Sequence, residues 1–134
     1  MLIKNGFVFC DDFAVREGDV YTELDRISEP QSQQEVLDAT GCIVVPGFID
    51  IHIHGANGTD FCDSTREAHA NIARYLASVG VTSYLGTTMA MKKPVLLNMV
   101  RSANEFMDNP VEDGAVMRGI NLEEIGRASC RERV

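Results

Sequence analysis

Two histidines and one glutamate are the residues whose type and placement could do chemistry. His52-Ile53-His54 is an H-x-H inside Phe48 to His54 (FIDIHIH), a stretch in which apolar and polar residues alternate strictly. Side chains alternate faces along a strand, so this spacing puts both imidazoles on one face, about 6.5–7 Å apart along the chain. Two Nε2 atoms so placed can converge on one divalent ion, with Zn–N bonds of about 2.0–2.1 Å. The same alternation predicts Asp50 on the histidine face and Ile49, Ile51 and Ile53 on the other face of a buried strand. Glu123 ends a later apolar run, Ala115 to Glu123 (AVMRGINLE). A carboxylate there can supply a hard oxygen ligand or bridge two ions. Taken singly, an H-x-H can be two unrelated histidines and a strand-end glutamate can be solvated. Their shared position at strand ends, with a glycine loop directly after the histidines, favours a metal centre.

The elements that must position these residues can be read from the flanking pattern. From residue 46 the order is strand, helix, strand, helix, strand. After the first strand comes the loop Gly55-Ala56-Asn57-Gly58-Thr59-Asp60, then Ser64-Thr65-Arg66-Glu67, whose S-x-x-E spacing predicts a capping box. Ala68, Ile72, Leu76 and Val79 form one apolar stripe of a helix that Gly80 stops. Val81 to Thr88 (VTSYLGTT) is the second strand. Pro94 opens a second helix with a buried stripe of Leu96, Met99, Val100, Ala103 and Met107, and Asn109-Pro110 ends it. Ala115 to Glu123 is the third strand. Such alternation means a parallel sheet with helical crossovers, in either a (β/α)8 barrel or a doubly wound sheet. No G-x-G-x-x-G follows the first strand, which counts against a dinucleotide site.

Residues 1–45 have a different character and predict a small all-β domain. Leu2-Ile3 and Phe7-Val8-Phe9 flank Asn5-Gly6, a dipeptide suited to a tight turn. Phe13-Ala14-Val15, Val20-Tyr21, Val36-Leu37 and Cys42 to Val45 are further short apolar runs. Asp11-Asp12, Glu17-Gly18-Asp19 and the polar stretch Ser28 to Gln34 separate them.

Composition narrows the classes. The chain has 134 residues, 45% hydrophobic and 24% charged, as in globular proteins. A net charge of −8 repels phosphate backbones and anionic surfaces, so neither nucleic acid nor membrane is an expected partner. No apolar run reaches the roughly 18 residues of a membrane span, and no signal-peptide pattern opens the chain. Cys10, Cys42, Cys62 and Cys130 are scattered without a CxxC pair, as reduced cytoplasmic thiols would be.

Pro46 to Gly55 (PGFIDIHIHG) resembles the first metal-binding strand of the amidohydrolase superfamily. The fuller set GFIDIHIHGANGTDFCD, GVTSYLGTT and RGINLE resembles the N-acetylglucosamine-6-phosphate deacetylase family within it, over residues 1–123. The resemblance implies the opening of a TIM-type (β/α)8 barrel over residues 46–123, cut off after its third strand. It makes residues 1–45 part of a split β-sandwich. It implies metal-dependent removal of acetate from N-acetylglucosamine 6-phosphate, with Glu123 the main metal ligand; the histidine pair, present here as His52 and His54, binds a second ion in some members of the family and is replaced in others. Zinc is the first choice of metal and iron another, one or two ions per subunit, in a homo-oligomer. The proton-moving aspartate would come from a late barrel strand outside this chain, so no catalytic residue is expected here and the fragment alone should be inactive. The alternatives are another amidohydrolase of the cyclic-amidase type and a non-catalytic relative.

Among the other polar residues, Asp50 reads as a partner of the histidines and His69 as a surface residue. Thr87 and Thr88 line a pocket or pack. Asn57 and Asp60 hold the loop's turn or touch substrate. Met89, Met91 and Met99 are filler. Residues 124–134 (EIGRASCRERV) carry three arginines and no apolar period. The string resembles the translation of a sequencing-adapter oligonucleotide and is expected to be a non-native tail.

Overall fold

The computed structural model describes residues 1–24, 26–30 and 35–123; the tail reading therefore lies outside the described residues, as do Cys130 and part of the polar loop. The chain divides into two compact units, Met1–Pro46 and Gly47 onward.

In the first unit, strand β1 (Leu2–Phe9) is central. It pairs antiparallel with β2 (Val15–Glu23), and parallel with β4 (Val36–Asp38) and β5 (Ile43–Val44). The short β3 (Arg26–Ile27) adds to β2. The described strands of this unit form one sheet. Phe13, Ile27 and Ile43 are 83%, 79% and 64% exposed. Two expected turns are strand interior instead. Asn5 takes the predicted positive φ of 61°, but inside β1, where the register to β2 slips between Ile3 and Gly6. Asn5-Gly6 is thus a bulge that lets one strand continue, not a turn that ends it. Glu17-Gly18-Asp19 runs through β2 because cross-strand pairing with β1 overrides its local turn preference.

The second unit carries the candidate chemistry. Strands β6 (Phe48–Ile53), β9 (Val81–Thr87) and β10 (Val116–Asn121) form a parallel sheet in the order β10-β9-β6. Helices α1 (Arg66–Ser78) and α2 (Lys93–Asp108) are the crossovers. Between β6 and α1 lie a small hairpin, β7 (Gly55–Ala56) with β8 (Thr59–Asp60), and one 3-10 turn, Phe61–Asp63. Tyr84, Phe61, Ile72, Met99, Ala103 and Phe106, all nearly inaccessible, belong to the buried interior.

Four details differ from the sequence reading. The N-cap of α1 is Thr65, whose hydroxyl accepts the Ala68 N–H, one residue after the expected Ser64. Ser64 instead closes the 3-10 turn at φ 54°, and the capping box belongs to Asp60 and Asp63. Replacing Thr65 by alanine should cost about 1 kcal/mol, seen as a lower denaturation midpoint. Phe106 joins the buried face of α2, while Leu96, Val100 and Met107 are only half-buried. The alternation of β6 is broken. Asp50 lies opposite Tyr84 and Ile53 opposite Gly86, three steps on β6 against two on β9. Ile53 therefore packs on the core, whereas Ile49 and Ile51 are 70% and 67% exposed.

His69 is the fourth and largest difference. It is not a surface residue: its side chain is 0% exposed. Phe61 and Phe106 flank it with ring centroids at 5.1 and 5.6 Å, and its Nε2 lies 3.0 Å from Ser102 Oγ of α2. The physical reason is that α1 packs against both the sheet and α2. That second contact widens its buried face from Ala68, Ile72 and Leu76 to include His69 and Ala73.

Candidate metal centre

Parallel pairing brings the C-terminal ends of β6 and β10 to the same edge, on either side of β9. His52 and His54 come from the end of β6, and Glu123 follows β10 by two residues. Their ligand atoms all lie within 4.8 Å of one another. His52 Nε2 is 3.2 Å from His54 Nε2, and His54 Nε2 is 3.2 Å from Glu123 Oε2. The sequence reading paired these three residues, and the fold brings them together.

The donor set fits a cation. A tetrahedral ion with bonds of 2.0–2.1 Å has ligand–ligand edges of about 3.3 Å, close to both separations. A proton is a poorer occupant. His54 Nε2 faces two acceptors at once, and a single N–H can point well at only one of them. His54 and Glu123 are half-buried, with side chains 34% and 36% exposed, so the cradle is open on one side.

Glu123 is held by its backbone. Its N–H donates to Thr88 Oγ1 at 3.3 Å, while the Thr88 N–H donates to Asn121 O at 3.0 Å. Thr88 thus ties the end of β10 to the end of β9, and packing and positioning are one role here. Thr87 is equally buried but sends its hydroxyl to no partner in the described structure. Asp50 is outside the ligand set. Its carboxylate accepts the backbone N–H of His52 at 3.0 Å, so it fixes the main chain of the bulge rather than an imidazole.

The loop after His54 is more ordered than its composition suggested. Asn57 and Gly58, at φ 50° and 79°, make a two-residue turn of the kind that joins antiparallel strands. Asn71 of α1 clamps it. The Asn57 amide donates to Asn71 Oδ1, and Asn71 Nδ2 reaches Asn57 O and Thr59 Oγ1, each at 3.0 Å. Asp60 accepts the Cys62 N–H at 2.7 Å. Asn57 and Asp60 thus hold the loop. Together with His54 and Asp63 the hairpin lines a shallow cleft beside the metal cradle. Asn71 gave no signal in the sequence, since a lone asparagine within a helix announces no partner. Met99 is core; Met89 and Met91 are part-exposed loop residues.

Comparison with known proteins bears on the sequence and the fold. No protein-family model matches the chain. Among curated proteins it is 31% identical to N-acetylglucosamine-6-phosphate deacetylase of Bacillus subtilis over 125 residues, 91% of this chain and 30% of that protein. It is 30% identical to the Homo sapiens deacetylase over 126 residues, again 91% of this chain and 30% of that protein. The chain therefore spans about a third of the length of the curated relatives it matches. Among solved structures, the Mycobacterium smegmatis deacetylase superposes with a TM-score of 0.74 at 25% identity, covering 92% of this chain and 35% of that one. The Pasteurella multocida deacetylase shares the fold at a TM-score of 0.78 and 20% identity, covering 90% and 33%. A variant of the M. smegmatis enzyme has been solved in complex with N-acetyl-D-glucosamine-6-phosphate. No described helix is long and apolar enough to cross a membrane. In sequence and in fold, over about nine-tenths of its length, the chain is similar to the N-acetylglucosamine-6-phosphate deacetylases.

Proposed function

We propose that the protein carrying this chain removes the acetyl group from N-acetylglucosamine 6-phosphate, releasing acetate and glucosamine 6-phosphate. The observation that carries the proposal is the meeting of two imidazoles and one carboxylate within 4.8 Å at one edge of a parallel sheet. On this reading the three strands are the opening of a (β/α)8 barrel, in which such edges bear the catalytic groups. Full-length relatives that share sequence and fold with this chain, one of them solved with the phosphorylated sugar, support that substrate over a cyclic amide.

His52, His54 and Glu123 would hold the divalent ion. Two nitrogens and a carboxylate oxygen suit zinc, and iron accepts the same donors. When bound, the ion supplies a Lewis acid for the acetyl carbonyl and a water acidified to a pKa of about 7. The chain's own residues do the rest of the work assigned to them here. Glu123 offsets part of the cation's charge. Thr88 keeps that carboxylate at the strand end. The Asn71-clamped hairpin walls the cleft on the His54 side. The cleft's charged lining is Asp60 and Asp63, both acidic, so the sugar phosphate would be gripped by groups outside this lining.

The longer protein should release acetate from N-acetylglucosamine 6-phosphate, lose that activity on chelation and regain it with zinc or iron. A metal-loaded protein that cleaves a cyclic amide and leaves the amino sugar intact would overturn the substrate assignment.

A further inference from the structure

We infer that Asn121 is a positioning residue, its side-chain oxygen fixing the His52 ring in the tautomer that presents Nε2 to the metal. The inference rests on the metal reading above and extends it to a residue that supplies no ligand atom.

Asn121 Nδ2 lies 3.4 Å from His52 Nδ1, on the far side of the ring from the nitrogen that faces His54, and a half-turn of the amide puts Oδ1 in its place. For Nε2 to ligate, its lone pair must be free, so the single proton of the neutral ring sits on Nδ1. That N–H needs an acceptor. The oxygen and nitrogen of an asparagine amide have nearly the same shape, and the hydrogen-bonding partner decides which faces inward. Opposite an Nδ1–H the favoured choice is Oδ1. The opposite orientation, Nδ2–H donating to Nδ1, would move the ring proton to Nε2 and block the metal face.

Backbone geometry supports this role. Asn121 is the last residue of β10 and Glu123 follows it by two, and the side chains of both reach the histidine pair, Asn121 at His52 and Glu123 at His54. Both are tied to Thr88, Asn121 through its carbonyl and Glu123 through its N–H. One anchored tripeptide, Asn121-Leu122-Glu123, thus delivers a ligand to the cation and an orienting group to another ligand. Partners of this kind typically alter metal affinity about 10- to 100-fold when removed.

Two variants of the full-length protein test the inference, with zinc affinity measured by chelator competition. Asn121→Leu removes the acceptor and should weaken zinc binding about 10- to 100-fold. Asn121→Asp retains an oxygen acceptor but can no longer donate, and should bind zinc at least as tightly as the wild type. Nitrogen-15 shifts of His52 in the metal-free protein should show the Nδ1-protonated tautomer in the wild type and in Asn121→Asp, and a shifted mixture in Asn121→Leu. Unchanged zinc affinity in Asn121→Leu would overturn the inference, as would an equal loss in both variants, which would make the residue's role one of packing or donation. A wild type that binds no zinc would instead remove the metal reading on which the inference stands.

Discussion

On the deacetylase function and metal site proposed above, replacing Glu123 by glutamine in the full-length protein should lower kcat/KM for acetate release by about a thousandfold or more, equivalent to roughly 4 kcal/mol of transition-state stabilisation. The change keeps the shape and removes the charge. Glu123 Oε2 stands 3.2 Å from His54 Nε2, so a neutral amide in its place still fills the space but offsets none of the cation's charge. Metal content should fall in parallel. The Glu123 N–H to Thr88 contact is made by the backbone, so it survives the substitution and the fold should not change. The informative measurement is therefore a pair, bound metal and activity on the same purified sample beside an unchanged melting curve. If glutamine at 123 left both metal and activity intact, the carboxylate would not be a ligand.

How much of this was legible beforehand depended on whether the controlling interaction was local. His52, His54 and Glu123 were readable because parallel strands with helical crossovers must present their C-terminal ends together, whatever the register. The faces of the β6 residues were not, because the bulge between Asp50 and Ile53 is set by pairing with β9 and no local sequence records it. Asn-Gly shows the same division. At 57–58 it makes the two-residue hairpin turn, although the surrounding residues had read as plain loop. At 5–6 it sits inside a strand already flanked by β2, β4 and β5, and the same positive φ yields a bulge. Asn121 could have been found, since it is a polar residue ending the strand two positions before the candidate ligand Glu123. Nothing local disclosed that Ser102, 33 residues away, would meet His69.

That buried pair sets the second large effect, on stability and its pH dependence. Burial lowers the His69 pKa from its ordinary value of 6.5, with the Asp63 carboxylate pulling weakly the other way. The unfolded chain takes up a proton near 6.5, and the folded chain resists it until the pH is lower still. Above pH 6.5 both states are neutral at this site and its packing contributes in full. As pH falls below 6.5 the unfolded state binds more protons, and stability declines by at most about 1.4 kcal/mol per pH unit until the folded value is passed. Replacing His69 by alanine should cost about 3 kcal/mol at neutral pH, since it opens space between Phe61 and Phe106 and strands the Ser102 hydroxyl. His69→Leu should cost less and flatten the acid slope, because the leucine fills much of the same volume and cannot titrate. Denaturation midpoints of the wild type and both variants between pH 5 and 8 separate the two contributions. A wild-type slope that persists undiminished in His69→Leu would assign the acid sensitivity to another group and leave His69 a packing residue alone.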